Sequence, residues 1–163
     1  MLKHGTASVF VFACVDTQWR LGMIEHPRLS MAMIPGGHIE DDETAAHAAW
    51  REVREETGLQ VRPLPAPSAS VPETYPHPVM DQPWWITELR VPRDNHFAED
   101  HVHIDHVFVA LAVSPEPLSR PKHPFAWWCQ EEVQQSDVVF EDTKVLAKEL
   151  FTRVAELAGP PID

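Results

Sequence analysis

Apolar and polar positions alternate, cluster or recur along this chain in ways that predict most of its elements. Residues 7–15 form a nearly unbroken apolar run rich in Val and Phe, which reads as a buried strand. Trp19 to Glu25 reads as its hairpin partner, with Asp16-Thr17-Gln18 at the turn. Ser30 to Ile34 is a third short apolar run, ended by the breaker sequence Pro35-Gly36-Gly37. From Thr44 to Thr57 the period becomes helical, and Gly58 stops the helix. Leu59 to Pro63 leaves it as a short strand. Seven of the chain's 16 prolines then fall between Pro63 and Pro83, which predicts an extended loop, because proline cannot donate to a sheet ladder. Trp84 to Val91 and His101 to Val113 read as two more strands. A short segment spans Gln130 to Gln135. A closing helix runs from Asp142 to Leu157, with Val145, Leu146, Leu150, Phe151, Val154 and Leu157 expected on its buried face. Strands, a helix, more strands and a last helix make an α+β fold, expected to be one domain over residues 1–163.

Charge narrows the function classes. Asp and Glu number 25 against 13 Lys and Arg, for a net charge of −12. That argues against a surface for nucleic acid, which calls for a basic stripe. It leaves room for a phosphorylated small molecule if divalent cations bring the two anions together. Lys3 and His4 before the first apolar run imitate a targeting signal, but the Val and Phe content and the following turn favour a strand. No apolar run reaches the length of about 18 residues that a membrane span needs. With Cys14 and Cys129 read as free thiols, a soluble cytoplasmic protein is expected.

The candidate chemistry lies in Gly37 to Leu59. On a helix, Glu52, Glu55 and Glu56 fall within an arc of about 100°, since positions i, i+3 and i+4 are neighbours. Ala46, Ala49, Trp50, Val53 and Thr57 fill the adjacent arc. Three clustered carboxylates repel one another, and a hard divalent cation that prefers oxygen ligands, Mg²⁺ or Mn²⁺, would offset this. Taken alone, the cluster reads more plainly as a solvated acidic face.

The surrounding residues change that reading. Gly37, Glu43, Arg51, Glu52, Val53, Glu55, Glu56, Gly58 and Leu59 fill the nine defined places of the Nudix box, which spans 23 of the 163 residues. The chain therefore resembles the Nudix hydrolases. The resemblance implies an α/β/α sandwich around a central mixed sheet. It also implies metal-dependent hydrolysis of a pyrophosphate linkage in a nucleoside diphosphate joined to another group. It makes Glu52, Glu55 and Glu56 metal ligands, joined by the backbone carbonyl of Gly36. It makes Glu43 and Arg51 structural, with the Arg51 guanidinium orienting a catalytic carboxylate. Glu52 or Glu55 is expected to be the base, with Asp105, Glu131, Glu132 and Glu141 as downstream alternatives. A non-catalytic nucleotide-binding or regulatory module is the second reading, and an isomerase acting on isoprenoid diphosphates a distant third.

Outside the box the signals are weaker. His101, His103 and Asp105 alternate along one strand face, with His106 adjacent. They read first as a polar face and second as a metal or phosphate site, with His103 and Asp105 as substrate contacts. His38, Trp128 and Glu141 complete the candidate substrate residues. Trp84-Trp85 and Trp127-Trp128 are expected to point to opposite faces of their strands, and with the long loop they make a homodimer plausible.

Overall fold

The computed structural model describes residues 1–158. The strands are β1 (Lys3–Val15), β2 (Gln18–Glu25), β3 (Ala32–Met33), β4 (Gly36–His38), β5 (Val61–Pro63), β6 (Trp85–Val91), β7 (His101–Ala112) and β8 (Phe125–Trp128). The helices are α1 (Ala45–Thr57), α2 (Gln130–Gln135) and α3 (Glu141–Leu157). All eight strands join one mixed sheet with a central order β3-β2-β1-β7-β5, while β4 pairs with β1, β6 with β7 and β8 with β2. The central pair β1 and β7 is parallel from Lys3↔Val102 to Phe12↔Leu111. The other neighbours are antiparallel.

The apolar run of β1 is continuous because both of its faces are covered, as expected of a central strand. Phe10 and Phe12 point into a core with Val107, Val109 and Leu111 of β7, Val133 of α2, and Leu150, Phe151 and Val154 of α3. Ala7, Val9 and Val11 point the other way, onto Ala46, Ala49 and Val53 of α1, with Phe108 and Ala110 of β7. The fold is thus an α+β sandwich with helices on both sides of a mixed sheet.

Several boundaries depart from the sequence reading. Pro35-Gly36-Gly37 does not end the third run in a loop, since Gly36–His38 is itself a strand, paired with Thr6 to Ser8. Glycine permits this: a Cβ on Gly36 would lie 2.9 Å from the Ser8 Cα. The third strand shrinks to two residues. Phe125–Trp128 is a further strand, beyond those the apolar pattern bounds; it pairs with β2 and puts Trp127 and Trp128 into opposite core layers. On α3, Leu150, Phe151 and Val154 are buried, but Val145 is 67% and Leu157 48% exposed. The helix lies on the sheet along a stripe narrower than its apolar pattern.

Candidate active site

The site is built where β4 meets α1. Thr44 caps the helix, its side chain accepting from the His47 N–H, and Gly58 closes it at φ 69°. Gly58 has the left-handed backbone that side chains disfavour. The segment after β7 docks on this C-terminal end. The Leu118 N–H donates to the Gly58 carbonyl at 2.8 Å, and the Lys122 N–H to the Glu55 carbonyl at 3.2 Å.

Arg51 organises the carboxylates. Its Nε and Nη2 donate to both oxygens of Glu43 at 2.6 and 2.9 Å, and its Nη1 donates to Glu52 Oε1 at 2.6 Å. Nη2 also donates to the His38 carbonyl at 3.1 Å, tying the helix to β4. The Arg51 Nη1 stands 3.6 Å from Glu55, whose side chain is 48% exposed. The guanidinium lowers the pKa of Glu43. Its own pKa is raised, first by Glu43 and then, against the cost of burial, by Glu52.

Glu56 is the most confined of the three. It is 8% exposed and accepts the Gly36 N–H at 3.0 Å. Burial above all, with the charges of Glu52 and Glu55, pushes its pKa up to about 7, although the Gly36 N–H pulls it down. His123 Nε2 lies 3.4 Å from its other oxygen. Gly37 leaves room for Glu52, for a Cβ there would collide with the Glu52 carboxylate. The box therefore brings Glu52, Glu55 and Glu56 to one edge of α1 beside the backbone of Gly36. Every donor in that set is an oxygen, the preference of Mg²⁺ and Mn²⁺.

These observations coincide with a family assignment. The model of the NUDIX domain matches residues 5–148. The chain belongs to the NUDIX family. Among solved structures, this NUDIX chain resembles a NUDIX-family hydrolase from Clostridium perfringens, at 22% identity and a TM-score of 0.71, covering 94% of this chain and 99% of that one. An Ap4A hydrolase from C. elegans in a binary complex aligns at 14% identity and a TM-score of 0.62, covering 94% and 98% of the two chains. The NUDIX domain of Shewanella oneidensis NrtR complexed with ADP ribose aligns at 18% identity and a TM-score of 0.57, covering 94% and 90%. No curated protein matches the chain.

The remaining NUDIX candidates scatter. Asp105 is half-buried on β7 and accepts from Thr6 Oγ1 at 2.7 Å; loss of solvent around it raises its pKa. His103 and His38 join a cluster of histidines at the other end of β4, away from the glutamates' helix edge but linked to the box through the Arg51–His38 bond. Burial, then His38, His4 and His101, hold the His103 pKa down to about 4. Trp128 packs into the α3-side core. Glu141 starts α3 with its side chain 84% exposed and bonded to Lys144 at 2.7 Å. Glu131 bonds Gln135, and Glu132 caps α2 at the Cys129 N–H.

Sequence reasoning does not single out His123, and it places Trp50 on the stripe beside the glutamates without its contact to the loop. His123 approaches Glu56 from a loop without helical or strand period. Trp50 donates to Asp81 at 3.2 Å, pinning the proline-rich loop over α1. A cavity of about 230 Å³ lies under that loop, between Leu64, Met80, Trp50 and Phe108. Among the described residues, no helix is long and apolar enough to cross a membrane.

Proposed function

We propose that this single NUDIX domain hydrolyses a phosphoanhydride bond in a nucleoside diphosphate carrying another group. Glu52, Glu55, Glu56 and the Gly36 carbonyl would hold Mg²⁺ or Mn²⁺. The observation that carries this reading is the cluster of three glutamates on one helix edge, with Glu56 confined against Gly36 and loaded with neighbouring charge. When bound, the cation neutralises phosphate oxygens and acidifies a coordinated water.

The side chains divide the remaining work. Arg51 fixes Glu52 through a 2.6 Å bond while Glu43 holds the far side of the guanidinium. Glu55 is the more exposed carboxylate and stands farther from Arg51 than Glu52 does, so between the two candidates it is the base, taking a proton from the attacking water. Glu56, anchored by the Gly36 N–H, keeps β4 and α1 in register at the metal side. His38, His103 and Asp105 lie outside this helix edge, so substrate selection falls first to the loops around the cavity under residues 63–83 and to the docked 114–124 segment. Two half-buried free cysteines suit a reducing cytoplasm. A homodimer remains part of the proposal.

The test is phosphate release, through added pyrophosphatase or phosphatase as each product requires, from nucleoside triphosphates, nucleotide sugars, ADP-ribose and dinucleoside polyphosphates with Mg²⁺ or Mn²⁺. One compound is expected to turn over. With it, Glu55→Gln is expected to lose on the order of 10²–10⁴-fold in kcat, the usual contribution of a positioned base. Near wild-type turnover in both Glu55→Gln and Glu56→Gln would sink the mechanism. Nucleotides that bind with metal yet survive incubation would assign the chain to the binding-module reading.

A further inference from the structure

The histidine cluster is not explained by the box. His4 on β1 is register-paired with His103 on β7, and His101 shares the His103 face two residues earlier. Three imidazoles from two parallel strands thus converge. The loop between β6 and β7 adds Asp94, and β4 adds His38. Ligand atoms of His4, His101 and His103 lie within 4.8 Å of one another, as do those of His38, Asp94 and His103.

Hydrogen bonding leaves this cluster unsatisfied. Both ring nitrogens of His4 and the Nε2 of His38 are buried without a partner. His101 is 1% exposed, and its Nδ1 lies 3.0 Å from the Glu99 carbonyl. A carbonyl only accepts, so that bond places the proton on Nδ1 and leaves a lone pair on Nε2. This lone pair faces His103 Nε2 at 3.2 Å and Asp94 Oδ2 at 3.5 Å. Asp94 is held in that pose by its other oxygen, which accepts from the His96 and Phe97 N–H groups at 2.7 and 2.9 Å. One proton between the histidines satisfies one contact only. A carboxylate oxygen and an imidazole lone pair still face each other, an arrangement that a shared cation turns from repulsive to attractive.

The spacing identifies the class of cation. Zinc bonds to imidazole are about 2.0–2.1 Å long, so the edges of a tetrahedral site are about 3.3 Å. The observed 3.2 and 3.5 Å contacts bracket that edge. Nitrogen-rich donors suit zinc and its neighbours in the first transition row, whereas Mg²⁺ requires oxygen. The Glu99 carbonyl and the two loop amides orient His101 and Asp94 from outside, as outer-shell partners of metal ligands do. Phe97 closes the cluster, its ring 4.3 Å from His4 and 4.8 Å from His101.

We propose that His4, His101, His103 and Asp94 form a binding site for a divalent transition-metal ion of the zinc type, distinct from the Mg²⁺ or Mn²⁺ site of the box. The ion staples the loop before β7 to the N-terminal strand. His38 has a free nitrogen facing it and a carbonyl on Arg51, so the staple abuts the box without supplying its ligands.

The test uses the full chain, stripped with a chelator and titrated with Co²⁺ and then Zn²⁺. One equivalent of Co²⁺ is expected to give the intense visible bands of a four-coordinate ion. Zn²⁺ should bleach them, a large excess of Mg²⁺ should not, and Zn²⁺ should raise the melting temperature. The Glu55→Gln/Glu56→Gln double variant should retain the bands. His103→Gln or His4→Gln should lose them while far-UV circular dichroism is unchanged; His4, near a strand end, serves if His103→Gln does not fold. Absence of the bands in the wild-type chain overturns the site. So does their loss to Mg²⁺ or in the double glutamate variant, or their persistence in the histidine variants.

Discussion

At the scale of single residues, Arg51 carries the most structure. It satisfies two largely buried carboxylates and one backbone carbonyl at once. Arg51→Ala leaves both carboxylates with an unpaired charge, and about 3 kcal/mol of stability is expected to be lost in urea unfolding. Arg51→Lys keeps the charge but not the fork, so it should unfold earlier than wild type and recover only part of the loss. Glu56 gives a pH signature. Its pKa in the folded chain, about 7, lies above the ordinary 4.5, so the folded state holds its proton more tightly than the unfolded state. The stability this adds is complete below about pH 4.5 and disappears as pH rises through about 7. His103, held down to about 4, acts with the opposite sign over part of that range. The comparison that isolates Glu56 is therefore metal-free wild type against Glu56→Gln, whose stability difference should shift against wild type between pH 5 and 7.

At the scale of elements, the turns are the exposed test points. The β1–β2 hairpin closes on Asp16 and Thr17 with φ of 50° and 66°. A two-residue turn with both φ positive favours glycine at its second position, and a β-branched residue there is strained. Thr17→Gly is expected to raise stability by about 1 kcal/mol, read as a higher melting temperature. Gly58→Ala should act in reverse by about 1–3 kcal/mol, because the backbone is left-handed and the new Cβ would meet the Ser119 carbonyl. Most elements were legible in the sequence. The helical period of α1 and the continuous run of β1 depend on local pattern, and both survive folding. The strand at Gly36–His38 was not legible, because glycine's breaker character holds only until a neighbouring backbone can use the missing Cβ. The exposed Val145 was not legible either, since periodicity marks a face without saying how far the partner sheet extends.

At the scale of the whole molecule, the two cores are what the sandwich rests on. Phe12 is fully buried and meets Phe151 edge-on at 5.1 Å, linking β1 to α3. Phe12→Ala should cost about 3–5 kcal/mol in denaturant unfolding, with little change in the box on the opposite face. The glutamates of the candidate site were legible because they fall on consecutive turns of one helix. The approach of His123 to Glu56 was not, nor was the meeting of His4 with His101 and His103. Those contacts join residues about a hundred or dozens of positions apart, and only the register of β1 with β7 and the docking of a loop bring them together.

That register also governs how the chain is made. β1 leaves the ribosome well before its long parallel partner, which begins only at His101. Until then the hairpin with β2 covers only the far end of β1, and the stretch from Val9 to Phe12 has neither its β7 edge nor the α3 side of its core. Contacts this distant in sequence form slowly, and exposed apolar edges associate with one another meanwhile. Synthesis therefore holds this apolar strand waiting until β7 and α3 have been made, a window in which chaperone capture or low temperature should decide the soluble yield.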